Sequence, residues 1–254
     1  MQLLFFRQRK RPPRNRVAEP MSPTAVPQNL LAADIPPVGT TVITVTRKFA
    51  SGGSEIARLV AERLGFACVD NDIISKVARR LNQDEQSVAK HDEQTTGITG
   101  HLLTALQTTN PLTINYGTVF NKNEAIISQS HEQALFQLTQ QILLEAATQG
   151  NVLLVGRGSQ LLLQQAPRTL HIAIFAPMQL RIQNVMRQMQ LSAEEAAHLI
   201  AERDYEQRRY LLYNYGNDGQ QIELYHLLIN TGLFTYEQAA DLICQALATA
   251  QQSF

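Results

Sequence analysis

Thr41-Val-Ile-Thr-Val-Thr-Arg-Lys-Phe-Ala-Ser-Gly-Gly-Ser-Glu-Ile-Ala57 is the stretch on which the fold turns. Val42, Ile43 and Val45 are β-branched and sit in a short apolar run, which predicts a buried strand over 41–46. Ser51-Gly-Gly-Ser54 then turns the chain. From Glu55 the spacing becomes helical: Ile56, Val60 and Leu64 share a face with Ala57 and Ala61, and Gly65 suits the left-handed residue that ends a helix. A strand, a Gly-rich turn and a helix form a ready anion site. Glycines let the backbone approach a phosphate, the orphan N–H groups of the first turn point at it, and the helix dipole favours its charge.

The stretch is not a standard P-loop. Gly-x-x-x-x-Gly-Lys-Ser/Thr uses its lysine on the β/γ-phosphates and its hydroxyl on Mg²⁺. Aligning its second glycine with Gly52 puts Gly53 at the lysine and Arg47 at the first glycine. Fold and chemistry therefore have to be sought in the whole strand–loop–helix and in the chain from Phe66 onward.

Beyond this stretch, Phe66–Asp70 reads as a second strand, and Asp72 is placed to N-cap a helix carrying Ile73, Ile74, Val77, Ala78 and Leu81. Residues 82–123 are polar and irregular, read as short helices and a mobile connection. Glu124–Gln149 is expected to be the longest helix, with Ile127, Leu135, Leu138, Ile142 and Ala146 on one face. Val152-Leu-Leu-Val155 is continuously apolar, as a strand covered on both faces should be, and runs into Gly156-Arg157-Gly158. A short helix to Gln165, a strand over 170–175, Ala176-Pro177 and a helix over 178–190 come next. Ser192–Glu195 and Thr235–Gln238 have the form of capping boxes, opening a long charged helix to about Tyr213 and a C-terminal helix. Tyr225–Ile229 is the fifth strand. Strand and helix alternate with crossovers long enough for a parallel sheet. Ligands of such sheets bind at the carboxyl ends of the strands, which would gather residues 47–54, Asp70, Gly156-Arg157 and Ala176-Pro177.

The chain has 254 residues and no formal net charge, which gives no bulk electrostatic reason to expect nucleic acid or membrane as a partner. Residues 1–38 differ in kind. Six Lys/Arg, from Arg7 to Arg16, and recurrent prolines predict a disordered basic tail. The longest apolar run falls far below the roughly 20 residues that span a bilayer. Cys68 and Cys244 fit no metal spacing and suit a reducing, cytoplasmic setting.

These motifs, in this order, resemble the cytidylate kinase-like proteins, a branch of the P-loop nucleoside monophosphate kinases. The resemblance runs over about 41–248 and rests on residues 43–57, Leu64-Gly65-Phe66 to Asp70, Val155–Gly158, Ile174–Pro177 with Arg181-Ile182, Asp204 with Arg208, Arg209 and Tyr210, and Tyr225–Gly232. It implies a three-layer α/β P-loop NTPase-type parallel sheet with helices on both faces, a helical acceptor-binding insertion at about 72–150 and a lid helix at about 190–222. It implies ATP and Mg²⁺ as cofactors and nucleotides as small-molecule substrates, with CMP or dCMP the expected acceptor. The family's loop reads Ser-Arg-x-x-Gly-Ser-Gly-Gly-Arg-Glu-Ile, so Ala50 replaces a glycine and Ser54 an arginine.

Phosphoryl transfer needs positioning and compensation of negative charge. Ser51, Gly52, Gly53 and Ser54 would cradle donor phosphates through backbone N–H groups. Arg47 or Lys48 would supply the missing lysine's charge, and the family pattern favours Arg47. Ser54 would either offer its hydroxyl to Mg²⁺ or N-cap the helix. Asp70 would bind a ribose hydroxyl or base amine of the acceptor, or cap the helix after it. Arg157, set between glycines at a strand end, is suited to grip a phosphate bidentately, by resemblance that of the acceptor. The resemblance puts Arg181, Arg208 and Arg209 over the transferring phosphoryl group and Asp204 on the pyrimidine nucleotide. An Asp204–Arg208 ion pair four residues apart is the plainer alternative. Asn230-Thr231 would contact adenine or simply end a strand. Two rival readings stand beside the kinase: a nucleotide-binding module without turnover, and a kinase of another small acceptor.

Overall fold

Each of the five expected strands exists, and all of them are parallel. The computed structural model describes residues 41–72, 74–76 and 129–252. The strands are β1 (Val42–Arg47), β2 (Ala67–Val69), β3 (Val152–Val155), β4 (Thr169–Phe175) and β5 (Leu227–Asn230), in spatial order β2-β3-β1-β4-β5. β1 lies at the centre, paired in parallel with β3 and β4. The helices are α1 (Gly53–Leu64), α2 (Gln129–Gln149), α3 (Ser159–Leu162), α4 (Met178–Met189), α5 (Ala193–Tyr215) and α6 (Tyr236–Ala250).

Successive strand residues face opposite ways, and β1 shows it. Ile43 and Val45 pack with Ile172, Ile174 and Ile229 under α1 (Ile56, Val60) and α6 (Ile243, Leu247). Val42 joins Leu154 and Val152 on the other face, under α2 (Ile142, Leu143, Ala146) and α3 (Leu162). A smaller cluster of Ala50, Val185, Ala196 and Ile200 seats α4 and α5 against the loop after β1. The result is the three-layer P-loop NTPase-type architecture that the resemblance implied.

Several local expectations need correction. Phe66 is absent from β2 because its N–H closes onto the Ala61 carbonyl at 2.9 Å, ending α1. Asp72 is not the cap of the helix after β2. Residues 71 and 72 are already helical, and Asp70 Oδ1 accepts the Asp72 N–H at 3.0 Å. The start of β5 moves from Tyr225 to Leu227 because a 3₁₀ turn, Ile222–Leu224, takes the Tyr225 N–H. Among the described residues α5, at 23 residues, is longer than α2, at 21. On α2 the buried face runs through Thr139, Ile142, Leu143, Ala146 and Ala147, leaving Leu135 exposed. Both capping boxes are present. The tail at 1–38, Ile73, the helix through Val77 to Leu81, the connection at 82–123 and the helix start at 124–128 lie outside the described residues.

One polar group sits deep in the sheet. His171 on β4 is 3 % exposed and shares a hydrogen bond with its register partner Thr44, Nδ1 to Oγ1, at 2.7 Å. The His226 ring stacks on it with centroids 5.1 Å apart, and His226 Nδ1 accepts the His171 N–H. Burial, reinforced by His226, lowers the His171 pKa to about 4 from 6.5. A histidine held neutral by folding stabilises the fold fully above its unfolded pKa and loses that contribution as pH falls toward the folded one. Stability is therefore expected to drop between pH 6.5 and pH 4, by up to about 3 kcal/mol. Denaturant melts at several pH values would show it. A slope that persists unchanged in His171→Asn would place the titration elsewhere.

Candidate active site

The chain leaves β1 at Arg47 and reaches α1 at Gly53. Every carbonyl from 48 to 52 is engaged. Lys48 O accepts the Ser51 N–H at 3.2 Å, and Gly52 O the Ile56 N–H at 3.0 Å. Arg181 Nε donates to Phe49 O at 2.6 Å, Asn184 Nδ2 to Ala50 O at 3.0 Å and Thr231 Oγ1 to Ser51 O at 2.9 Å. In a trans peptide the next N–H points opposite the carbonyl. Drawing the Phe49 and Ser51 carbonyls outward therefore turns the N–H groups of Ala50 and Gly52 to the other side. There they join the donors of the first turn of α1. Donors gathered in this way are suited to an anion, and their arrangement is set by the loop's surroundings as well as by its own sequence.

Side chains within the loop are otherwise occupied. Ser51 is buried and its Oγ donates to Ile174 O at 3.3 Å. Ser54 does not N-cap α1. Gly52, at φ 80°, is the N-cap, and Ser54 Oγ accepts from Arg47 Nε at 3.4 Å. Ala50 adopts φ 59°, where a side chain is strained and where the family pattern has glycine.

Arg47 reaches from the loop toward β3. A Cβ placed on Gly156 would lie 2.2 Å from Arg47 Nη1, so the guanidinium lies against that backbone. Gly156, Arg157 and Gly158 all have positive φ, at 78°, 56° and 76°. Both glycines have a reason: the first makes room for Arg47, the second for Tyr215, whose ring would meet a Cβ at 2.3 Å. Tyr215 also donates its hydroxyl to Arg157 O at 2.9 Å. Arg157 Nε donates to Asn71 Oδ1, and its guanidinium lies 5.5 Å from the Tyr210 ring centre. Phe136 of α2 meets Tyr210 and Tyr215 edge-on at 6.4 Å and 5.3 Å. Burial pushes both tyrosine pKa values up, so the hydroxyls stay neutral. Asp70 stands beside Asn71 and caps the helix that carries it. Burial, and then Asp70 itself, raise the Asp72 pKa.

An arc thus runs from Ser54 through Arg47, Gly156 and Arg157 to Asn71 and Asp70. Arg181 and Asp204 lie behind the loop and hold each other. Asp204 accepts two hydrogen bonds, from Arg181 Nη1 at 2.9 Å and Nη2 at 2.8 Å, and Arg181 is only 5 % exposed. The alternative Asp204–Arg208 pair does not form; Arg208 instead faces Asp218 at 3.5 Å. Arg208 and Arg209 are both exposed on α5. A cleft of about 200 Å³ opens under α5, lined among others by Arg47, Lys48, Gln207, Arg208 and Asp218.

A family model described as the cytidylate kinase-like family matches residues 42–233, and so takes in the loop, Arg157, Arg181 and α5 alike. The chain belongs to the cytidylate kinase-like family.

The relatives of this cytidylate kinase-like chain are partial matches. A cytidylate kinase from Pyrococcus horikoshii is 34% identical over 104 residues, 41% of this chain and 53% of that one. One from Thermococcus sibiricus is 37% identical over 103 residues, 38% and 52% of the two chains. A protein named uronate isomerase from Corynebacterium glutamicum is 40% identical over 108 residues, 42% of this chain and 20% of that one. The chain thus spans about half the length of the curated cytidylate kinases it matches, and a fifth of the isomerase. Among solved structures, an uncharacterized protein from Eubacterium ventriosum superposes with a TM-score of 0.56 at 15% identity, over 82% of this chain and 98% of that one. That likeness concerns the fold alone.

Sequence reasoning missed Asn71, Tyr210 and Asn184 as site residues of this cytidylate kinase-like chain. Asn184 left a signal: with Arg181 it puts two polar side chains on the α4 face that buries Val185.

Proposed function

We propose that this protein is a nucleotide kinase, moving the γ-phosphoryl group of ATP to a nucleoside monophosphate, CMP or dCMP. The observation that carries the reading is the arc from the Gly52-Gly53 cradle through Arg47 to Arg157, two cationic side chains joining a donor-phosphate loop to a second strand end. In the reaction an oxygen of the acceptor phosphate bonds to the γ-phosphorus as the bond to the β–γ bridging oxygen breaks. Little covalent work falls to the protein. The loop N–H groups would hold the β/γ-phosphates, Arg47 would span donor and acceptor, and Arg157 would hold the acceptor phosphate with Nη1 and Nη2 while Asn71 keeps Nε. Arg208 and Arg209 would close from α5, with residues about 190–222 as the lid and about 72–150 as the acceptor insertion. Asp70 is our candidate for the acceptor's ribose or base.

Among the described residues no cluster of three His, Cys, Asp or Glu gathers as a metal site. Mg²⁺ would arrive with ATP, and the Ser54 hydroxyl at the helix start, which accepts from Arg47 Nε at 3.4 Å, would be the protein group to hold it. When bound it neutralises charge on the phosphates. Among the described residues no helix is long and apolar enough to cross a membrane. Cys68 and Cys244 carry no disulfide. A cytoplasmic setting, where ATP is supplied, goes with this reading.

A second reading, nucleotide binding without turnover, is favoured by the glycine, Gly53, that stands where a standard P-loop has its lysine. The test is ADP release by the full chain given Mg·ATP and each nucleoside monophosphate in turn. Turnover preferring CMP or dCMP is expected. Protein that binds nucleotide yet turns over no monophosphate would defeat the proposal in favour of a binding module or another small acceptor.

A further inference from the structure

Three of the five loop carbonyls are held by side chains more than 120 residues away in sequence. Two of these side chains, Arg181 and Asn184, stand on consecutive turns of α4, and the third, Thr231, lies just past β5. Each of the α4 pair is itself oriented. Arg187 Nη2 donates to Asn184 Oδ1 at 2.6 Å, which leaves Nδ2 toward Ala50. Asp204 holds both terminal nitrogens of Arg181 and so aims Nε at Phe49 O. Arg181 therefore has its three nitrogens committed to protein acceptors, in a place where it is 5 % exposed. Asp204 belongs to α5, and two turns further on the same helix carries Tyr210 against Arg157. A buried guanidinium that loses its carboxylate must find another partner or move, and this one cannot move without releasing Phe49 O.

We propose that Asp204, Arg181, Asn184 and Thr231 are positioning residues for the donor loop, and that Asp204 acts through Arg181, so that the seating of α5 sets how tightly the loop holds a polyphosphate. They touch no phosphate; they fix which way the peptide groups of 49–52 face. The inference rests on the reading of this loop as the donor-phosphate cradle. It departs from what the resemblance implied by assigning Arg181 and Asp204 to the shape of the loop and not to the transferring phosphoryl group or the pyrimidine.

The experiment compares the full-length wild-type protein with Asp204→Asn and Thr231→Val. Calorimetry gives Kd for Mg·ADP and, separately, for CMP. Hydrogen exchange in ligand-free protein follows the amides of 49–54. Asp204→Asn is expected to weaken Mg·ADP about tenfold (1.4 kcal/mol), leave CMP within twofold and speed exchange in the loop. Thr231→Val, which removes one hydroxyl and keeps the shape, should give a smaller loss of the same selectivity. Unchanged Mg·ADP affinity in both variants, or equal losses for Mg·ADP and CMP, overturns the proposal. If the wild-type protein binds no Mg·ADP, the nucleotide reading fails by itself. The exchange comparison then decides the positioning role: faster loop exchange in the variants upholds it, and unchanged exchange overturns it.

Discussion

Arg157→Ala should abolish useful acceptor turnover while leaving the fold intact. The guanidinium is half-buried at a strand end, with Nε fixed by Asn71 and its plane braced near Tyr210. Charge-assisted contacts to a phosphate are each worth about 1.5–3 kcal/mol. Losing a bidentate pair should then cost at least about 3 kcal/mol, or 100-fold in kcat/KM for the acceptor. Mg·ADP affinity should hold. Stability should change little, because residue 157 keeps φ near 56° whether arginine or alanine occupies it, and neither relieves the strain. Arg157→Gly would be a poor control, since it relaxes the backbone at the same time. Arg157→Lys keeps the charge but gives up the planar fork, and should recover only part of the loss. Steady-state rates over an acceptor series, with a thermal melt of each variant, decide the matter. Full activity in Arg157→Ala would remove this residue from the site.

Gly53→Ala is the second large effect, and its sign runs against local propensity. Gly53 is the first residue of α1 and has no left-handed φ. In a helix interior alanine is better than glycine by about 1 kcal/mol. Here a Cβ would lie 2.4 Å from Arg47 Cβ and 3.4 Å from Ile174 Cβ. The obstacle is the root of a side chain on the central strand, which cannot swing aside as a side-chain tip can. Either α1 moves off β1 or Arg47 leaves its place beside Gly156. Overpacking of this kind costs about 1–3 kcal/mol, so the melting temperature should fall several degrees. Mg·ADP binding should fall more than stability does, since the cradle is the part displaced. A variant as stable as the parent, binding Mg·ADP equally well, would show that the close approach of α1 to β1 is not needed.

The sheet was legible because its signals are local. Val152–Val155 is apolar at every position and is buried at every position. Ser192 and Thr235 announce helices through contacts three residues long. Boundaries failed where a backbone N–H went to a turn, as at Phe66 and Tyr225. The site divides the same way. Arg157 could be picked out because its flanking glycines stand in the chain beside it. The work of Arg181 could not, because its partners are Phe49 and Asp204, 132 and 23 residues away. An i,i+4 rule offered Arg208 to Asp204, and helix geometry permits that pair. A buried cation won the carboxylate instead. Asn184 and Thr231 bond to carbonyls, which carry no side-chain identity for a motif to record.

The outward-held carbonyls bear on how such a loop can change over time. When the directions of three successive peptide groups are enforced from α4 and from just past β5, the letters from Phe49 to Ser51 are released from that duty. Ala50 illustrates the tolerance: it occupies a left-handed position without being glycine, and Asn184 still holds its carbonyl. Substitution can then erase the written signature of a phosphate loop while its shape persists. A search for distant members of such a lineage would do better to ask for an arginine and an asparagine one turn apart on the helix after the fourth strand than for a lysine after glycine.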